Sequence, residues 1–214
     1  MPNVPIVVDI SHGDAVSSFP KAAEAGLLAV IHKATTGATG RDDEYKARRN
    51  LAGQSKLLWG AYHWGTAAKV EDQVDNFLNW ADPDKSTLVA LDFERTGGNQ
   101  MTISQARDFL TLIGDRLKRK PVIYGGDLLK EQLGNKKDKF FGEHRLWLAQ
   151  YGTHPRVQAS WDSFWLWQYT DGESGPDPKT VPGIPGDSKG RLDCDHFVGT
   201  PTQLAEQWAA GPLK

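Results

Sequence analysis

The chain has 214 residues, of which 39% are hydrophobic and 24% are charged, with a net charge of −2. This length and composition predict one large domain, and the balanced charge excludes the basic surface of a nucleic-acid-binding or membrane-surface protein. Its single cysteine, Cys194, excludes an internal disulfide, and the apolar flanks of its strand predict a buried, unreactive thiol.

Strand-like apolar runs recur along the chain, with amphipathic segments between them. The predicted strands are 4–9, 27–33, 57–63, 87–94, 121–125, 145–150, 164–168 and 190–194. Helical patterns follow Asp42 over 43–53, begin at Val70, and follow Thr102 over 103–117. Apolar strands that alternate with such helices indicate a parallel sheet covered on both faces. Eight strands, with no glycine-rich phosphate loop after the first, favour a closed (β/α) barrel of the TIM type over an open doubly wound sheet.

The last third of the chain departs from this alternation. Residues 170–190 contain five Gly and four Pro without helical periodicity, which predicts a long loop. Thr200 and Pro201 then resemble the N-cap and first residue of a closing helix. We therefore expect five βα units followed by three strands, a distorted (β/α)5(β)3 barrel with about eight strands and about five flanking helices.

Four acidic residues lie at the ends of three predicted strands. Asp92 and Glu94 are two residues apart, so alternation points both side chains the same way. Asp9 ends the first strand and Asp193 lies in the last. Catalytic residues of such barrels lie at the carboxyl ends of the strands, so we expect the four acids to converge, although any one of them could instead pair with a nearby cation. Crowded carboxylates raise the pKa of at least one member, which is the state that a general acid requires.

Aromatic residues are frequent near the predicted strand ends, in a chain with eight Trp and five Tyr. The flat apolar faces of sugars stack on such rings, so this pattern favours a carbohydrate ligand. Trp147, Trp165 and Trp167 are explained at least as well by packing inside the barrel. The candidates for substrate contact are Tyr62, Tyr124, Tyr151, Gln168, Lys33, Trp64 and Gln150.

Eight motifs within residues 5–199 occur in a characteristic order and spacing. They are Val8-Asp9-Ile10-Ser11, Ile31-His32-Lys33-Ala34-Thr35 with Gly37, Gly60-Ala61-Tyr62-His63-Trp64, Leu91-Asp92-Phe93-Glu94, Pro121-Val122-Ile123-Tyr124, Leu146-Trp147-Leu148-Ala149-Gln150-Tyr151, Trp167-Gln168-Tyr169 and Leu192-Asp193-Cys194-Asp195-His196-Phe197. Together they resemble the glycoside hydrolase family 25 lysozymes, which are N-acetylmuramidases.

The resemblance implies an enzyme that cleaves the β-1,4 bond between N-acetylmuramic acid and N-acetylglucosamine in peptidoglycan, with retention and without a cofactor or a metal. Glu94 is similar to the family's general acid/base. Asp92 is similar to the residue that orients the substrate's 2-acetamido group, which acts as the nucleophile. Asp9 and Asp193 resemble the family's flanking acids. A covalent intermediate on Asp92 is the alternative mechanism.

One position departs from the family pattern. Asp195 stands where the family commonly has Asn. Alternation puts Asp193 and Asp195 on one strand face, and we expect Asp193 to be the acid that faces the groove. The sequence contains no repeat or wall-binding module, so residues 1–214 are expected to form a single catalytic domain, and no exposed heptad pattern suggests more than a monomer.

Two other functions are compatible with a barrel of this kind. A metal-dependent polysaccharide deacetylase would use Asp9, His63, Asp92 and Asp193 as ligands. The six His residues are scattered singly, and His32 and His63 are as easily packing residues as ligands. A non-catalytic glycan-binding barrel would normally have lost one of the acids, whereas Asp92 and Glu94 are both present.

The expected site of action is the bacterial cell wall, outside the cell or in the periplasm. The first predicted strand follows Met-Pro-Asn too closely for a signal peptide, and no apolar stretch approaches the length of a membrane span. We therefore expect release by a phage holin, as for an endolysin, export by a dedicated secretion machine, or a leader that has been removed. The expected partner is the glycan strand of peptidoglycan.

Overall fold

The computed structural model describes residues 4–209, which form nine strands and seven α-helices. The strands are β1 (Val7–Ile10), β2 (Ala29–Thr36), β3 (Gly40–Arg41), β4 (Leu58–Trp64), β5 (Leu88–Asp92), β6 (Val122–Gly125), β7 (Leu146–Ala149), β8 (Leu166–Thr170) and β9 (Asp193–Phe197). The helices are α1 (Phe19–Glu24), α2 (Tyr45–Gln54), α3 (Val70–Ala81), α4 (Ile103–Leu117), α5 (Asp127–Leu133), α6 (Lys139–Gly142) and α7 (Pro201–Gln207). A single 3₁₀ turn, Gly97–Asn99, precedes α4.

Eight of the strands close into a barrel, which confirms the predicted fold. Strand β1 pairs with β2 on one side and with β9 on the other, while the short β3 only extends β2 as a hairpin. The pairings from β1 through β2, β4, β5, β6 and β7 to β8 are parallel. The carboxyl ends of these seven strands therefore surround one mouth.

The expectation of an all-parallel sheet is wrong for the last strand. Strand β9 runs antiparallel to both β8 and β1. No helix lies between β8 and β9 in the described residues, so the chain is not carried back to the far end of the barrel and instead returns directly from the mouth. Asp193 is consequently the first residue of β9 rather than a residue near its end, and this reversal is what brings it to the mouth.

The long helices begin and end near the predicted residues. Helix α4 starts with a capping box, in which the Thr102 hydroxyl accepts from the Gln105 amide N at 3.2 Å and Gln105 Oε1 accepts from the Thr102 amide N at 3.0 Å. Thr200 caps the closing helix α7 in the same way. The sequence patterns do not predict the short helices α1, α5 and α6, which have six, seven and four residues.

Apolar layers lie on both faces of the sheet. One set of alternate strand residues fills the barrel interior, among them Val7, Ile31 and Leu88. The other set packs outward against the helices, which contribute Phe77 and Phe109 to this layer. A Cβ at Gly60 would lie 3.1 to 3.2 Å from Ile31 and Leu88, so a side chain there would force these neighbours in the barrel interior to shift.

The end of the barrel opposite the mouth is closed by α7, since the Trp208 indole donates to the Trp59 carbonyl at 2.8 Å. The acidic mouth lies at the other end, where the carboxyl ends of the seven parallel strands meet. Nowhere in residues 4–209 does a helix combine the length and apolar character needed to cross a membrane.

Candidate active site

A cavity of about 430 Å³ opens at the mouth of the barrel. Nine of the eleven candidate residues line it: Asp9, Tyr62, Trp64, Asp92, Glu94, Tyr124, Tyr151, Gln168 and Asp193. Within the described residues the lining includes seven carboxyl groups and one guanidinium group. This excess of acidic groups suits a polar ligand, and crowding and burial raise the pKa values of the buried members.

The end of strand β5 aims two carboxyl groups into this cavity. Asp92 is the last residue of the strand, and Glu94 follows two residues later. The intervening Phe93 is fully buried in the outer layer, and its amide N donates to the Tyr124 carbonyl at 3.0 Å, which continues the ladder past the strand. The alternation of an extended chain therefore puts both acids on the inner face, as the sequence predicts.

Asp92 is buried without a full set of hydrogen bonds. Asp92 is 3% exposed, and its Oδ1 has no hydrogen-bond partner among residues 4–209. Burial raises the pKa of this carboxyl, the nearby charge of Glu94 raises it further, and Lys33 opposes both effects. A buried oxygen without a donor lowers the stability of the fold. Because no protein group occupies it, this oxygen is available to a hydrogen-bond donor of a ligand.

The Glu94 side chain is half-buried and is hydrogen-bonded to Tyr124. Its Oε1 accepts a hydrogen bond from the Tyr124 hydroxyl at 3.0 Å. Burial raises the pKa of the Glu94 carboxyl, while the Tyr124 hydrogen bond and the charge of Lys33 lower it. The net shift is upward, so a larger fraction of Glu94 carries a proton near neutral pH than an exposed glutamate would.

A chain of hydrogen bonds continues from Tyr124 across the cavity floor. The Tyr124 hydroxyl lies 2.8 Å from Gln168 Oε1, and Gln168 Nε2 donates to Asp9 Oδ2 at 2.8 Å. Burial raises the pKa of the Asp9 carboxyl, and the charge of Asp195 adds to that effect. The chain of four residues from Glu94 through Tyr124 and Gln168 to Asp9 thus connects the end of β5 with β6, β8 and β1 around the barrel.

The two acids of β9 lie at different depths. Asp193 lines the cavity, and burial followed by the charge of Asp9 raises its pKa to about 9. Asp195 is 1% exposed, and its Oδ1 accepts from the Trp147 indole N at 2.6 Å. Both side chains share the inner strand face, but the geometry puts Asp193 at the groove and Asp195 beneath it.

Two candidate residues do not line this cavity. Lys33 lies beside it with Nζ 4.7 Å from the centre of the Trp64 ring, close enough to act on the charges of the acids. Gln150 turns away, because its Oε1 accepts from Lys130 Nζ at 2.6 Å and its Nε2 donates to the His154 carbonyl at 2.8 Å. Its side chain lines a neighbouring cavity of about 650 Å³ on the other side of Glu94.

Several lining residues were not predicted, because they come from two loops without a periodic pattern. Ser11, Gly13 and Asp14 belong to the loop after β1, and Asp171, Asp187 and Arg191 belong to the connection between β8 and β9. Arg48 of α2 holds the first loop by donating to the carbonyls of Ser11 at 2.7 Å and Asp14 at 2.8 Å. The glycine and proline content predicted the second loop but not its return over the mouth.

The side chain of His63 is hydrogen-bonded outside the cavity. His63 is fully buried, with Nδ1 2.7 Å from the Thr35 hydroxyl and Nε2 3.1 Å from Gln73 Oε1, and burial lowers its pKa to about 4. Both of its ring nitrogens are therefore engaged. Within residues 4–209, no group of three or more His, Cys, Asp or Glu side chains is arranged to hold a metal ion. The ligand set that a metal-dependent deacetylase would need, with His63 among the acids, is not assembled.

Comparison with known proteins gives concordant results. Residues 8–177 match the family Glycosyl hydrolases family 25. Lysozyme M1 of Streptomyces globisporus is 24% identical over 212 residues, covering 92% of this chain and 69% of that protein. Among solved structures, a family GH25 lysozyme from Aspergillus fumigatus has a TM-score of 0.75 at 28% identity, covering 95% of this chain and 98% of that one. The bacterial lysozyme from Streptomyces coelicolor has a TM-score of 0.81 at 24% identity, covering 94% and 95%, and supports the fold.

Proposed function

Since this chain belongs to glycosyl hydrolase family 25, we propose that it is a lysozyme that cleaves the β-1,4 bond between N-acetylmuramic acid and N-acetylglucosamine in peptidoglycan. The observation that carries the proposal is the pair of carboxyl groups at the end of β5. Glu94 has a raised pKa and faces the cavity, while Asp92 presents a buried oxygen to which no described residue donates a hydrogen bond. Relatives that are lysozymes support the choice of substrate.

Glu94 is proposed as the general acid and then the general base. Its protonated carboxyl gives a proton to the glycosidic oxygen as the bond to the anomeric carbon breaks. After the leaving sugar departs, the Glu94 carboxylate takes a proton from the attacking water. Because the same residue serves both steps, its pKa must lie near the working pH, and burial moves it in that direction.

Asp92 is proposed to orient the 2-acetamido group of the muramic acid residue. The free Oδ1 accepts the amide N–H of that group, which turns the amide oxygen toward the anomeric carbon. That oxygen forms a bond to the anomeric carbon while the glycosidic bond breaks, giving a cyclic oxazolinium intermediate. Water then opens this ring at the anomeric carbon, so two inversions give net retention.

The remaining groups of the mouth are proposed to bind the sugar. Asp9 and Asp193 lie on neighbouring strands, opposite each other in the register, where they can accept hydrogen bonds from sugar hydroxyls. Tyr62 and Trp64 line the wall, and Tyr151 is 43% exposed, unusually open for an aromatic ring beside a cavity. An exposed ring gains by stacking on the apolar face of a sugar, which supports binding of a glycan strand along the groove.

The test is mass spectrometry of purified peptidoglycan after incubation with the protein and reduction with borohydride, with and without a chelator. We expect new reduced muramic acid ends in both conditions. Loss of acetyl groups from intact chains, only without chelator, would identify a metal-dependent deacetylase, and no change would indicate a glycan-binding barrel. The Glu94→Gln variant, purified in parallel, controls for contaminating hydrolases.

A second experiment tests the role of Asp92. We expect a thiazoline analogue of muramic acid, which mimics the cyclic intermediate, to inhibit competitively. We also expect that incubation with a glycoside bearing fluorine in place of the 2-acetamido group leaves the protein mass unchanged. An adduct that raises the intact mass, and that peptide mapping places on Asp92, would show that this residue is a covalent nucleophile instead.

A further inference from the structure

Tyr124 has one hydroxyl proton and two acceptors within reach. The hydroxyl oxygen lies 3.0 Å from Glu94 Oε1 and 2.8 Å from Gln168 Oε1. A phenol donates a single hydrogen bond, so at any moment the proton points to one of these two oxygens. Burial raises the pKa of the Tyr124 hydroxyl, which keeps that proton in place.

Gln168 cannot easily turn its oxygen away from Tyr124. Its side chain is 2% exposed, and Nε2 donates to Asp9 Oδ2 at 2.8 Å. This hydrogen bond sets the amide so that Oε1 faces the tyrosine. Asp9 is itself 6% exposed, and the Asp195 carboxyl whose charge acts on it is held by the Trp147 indole at 2.6 Å. The orientation of Gln168 is thus fixed by its burial and by its hydrogen bond to Asp9.

We propose that Gln168 is a positioning residue that acts through Tyr124 by competing with Glu94 for the tyrosine proton. When Glu94 is protonated, its own O–H can donate to the Tyr124 oxygen, and the tyrosine donates to Gln168. When Glu94 is ionised, the tyrosine donates to Glu94, and Gln168 Oε1 loses its donor. Losing a donor at a buried oxygen is unfavourable, so Gln168 favours the acid form of Glu94. This inference rests on the proposed role of Glu94 as general acid and extends it.

The competition predicts opposite effects from two substitutions. Gln168→Leu removes the competing acceptor, so the tyrosine is always free to stabilise ionised Glu94. Tyr124→Phe removes the donor that stabilises ionised Glu94. Since activity falls as the general acid loses its proton, the alkaline limb of kcat/KM against pH should move about one pH unit down in Gln168→Leu and about one unit up in Tyr124→Phe.

The other groups that face Glu94 are the same in both variants. They are Asp92, Lys33, Tyr62, Tyr151 and Asp193. Gln158→Leu is the matched control, because Gln158 is also a buried glutamine with two carbonyl acceptors, Gly134 and Lys136, but lies outside the mouth. It should lower stability without moving the limb. Gln168→Met, which keeps an unbranched chain, replaces Gln168→Leu if that variant does not fold.

A direct titration separates this inference from the proposed function. Carbon-13 NMR of proteins labelled at the glutamate carboxyl carbon, with Glu94→Gln to assign the signal, gives the pKa of Glu94 without any substrate. We expect it to fall in Gln168→Leu and rise in Tyr124→Phe. Unchanged values, or shifts in the same direction, would overturn the role of Gln168 even in an active muramidase. If the pKa of Glu94 shifts in opposite directions but the protein leaves peptidoglycan intact, the competition between Gln168 and Glu94 is supported and the proposed muramidase function is overturned.

Discussion

Two buried polar regions lie on opposite sides of strand β4 and differ in how their hydrogen bonds are satisfied. On the outer side, His63 bonds to Thr35 and Gln73, and Gln73 Nε2 donates to the carbonyls of Thr66 at 3.0 Å and Ala68 at 2.8 Å. On the inner side lies the acidic cavity. In the part of the chain that the structure describes, one carboxyl oxygen of Asp92 in this cavity and one of Asp195 beneath it have no hydrogen-bond partner.

The difference separates a structural cluster from a functional one. A buried polar group that has partners contributes to stability, whereas one without partners costs it. The outer cluster therefore makes the fold more stable, and the inner cavity makes it less stable. Such a cost is expected where the missing partner is a ligand. Tyr62 and His63 are neighbours on one strand but lie on its inner and outer faces, so the first belongs to the functional cluster and the second to the structural one.

The largest expected effect is loss of activity from Glu94→Gln. The amide cannot give up a proton to the glycosidic oxygen, so kcat should fall by about a thousandfold or more while the melting temperature stays the same or rises. Release of soluble fragments from peptidoglycan measures the activity, and the exposed Glu71→Gln in α3 serves as the control. Turnover like that of the unmodified protein would remove Glu94 from the mechanism.

The outer cluster should respond in the opposite way. His63→Leu leaves the buried Thr35 hydroxyl without its partner and removes one of the groups bonded to Gln73 Oε1, which still accepts from the Thr66 amide N at 2.9 Å, so the free energy of unfolding should drop by about 1–3 kcal/mol. Activity per folded molecule should stay unchanged, because the imidazole does not line the cavity. Urea denaturation and the same hydrolysis assay measure the two quantities. A folded but inactive variant would assign His63 to the reaction and revive the metal-dependent alternative.

Asp193→Asn should be more stable than the unmodified protein, and the difference should grow as the pH rises. The pKa of Asp193 is raised from 3.8 to about 9, so the contribution of its protonated form is complete below pH 4 and is lost as the pH rises toward 9. The amide has no proton to lose. We expect the variant to gain about 2 kcal/mol at neutral pH, allowing for solvent screening at the cavity mouth, and nothing below pH 4.

Denaturation curves at several pH values measure this gain. The exposed Asp162→Asn should change stability by less than about 0.5 kcal/mol at every pH. A gain for Asp193→Asn that does not depend on pH would mean that the pKa of the Asp193 carboxyl is the same in the folded and the unfolded chain, as for an ordinary surface acid.

The sequence predicted the inner cavity better than its rim. Asp92 and Glu94 could be placed because an apolar strand ends there, and alternation then fixes their direction. The reversal of β9 could not be predicted, since a short strand has the same residue pattern whether it is parallel or antiparallel to its neighbours. Asp187 and Arg191 were missed because a loop carries no period that relates its residues to the barrel. The direction of Gln150 depends on its contact with Lys130, which no local pattern encodes.

Cys194 gives the smallest expected effect and tests the boundary between the two regions. It lies between Asp193 and Asp195 but points to the outer layer, is 0% exposed, and donates from Sγ to the Leu192 carbonyl at 3.3 Å. Burial raises the pKa of the thiol, so it carries no thiolate near neutral pH.

A serine hydroxyl keeps the hydrogen bond but is smaller and more polar, so Cys194→Ser should cost about 1 kcal/mol and leave turnover intact. Cys194→Ala, which keeps the apolar character and loses the donor, is the matched control. Inactivity of a folded Cys194→Ser would show that the outer face of β9 takes part in the reaction, and the division of the barrel into a structural and a functional side would then fail at this strand.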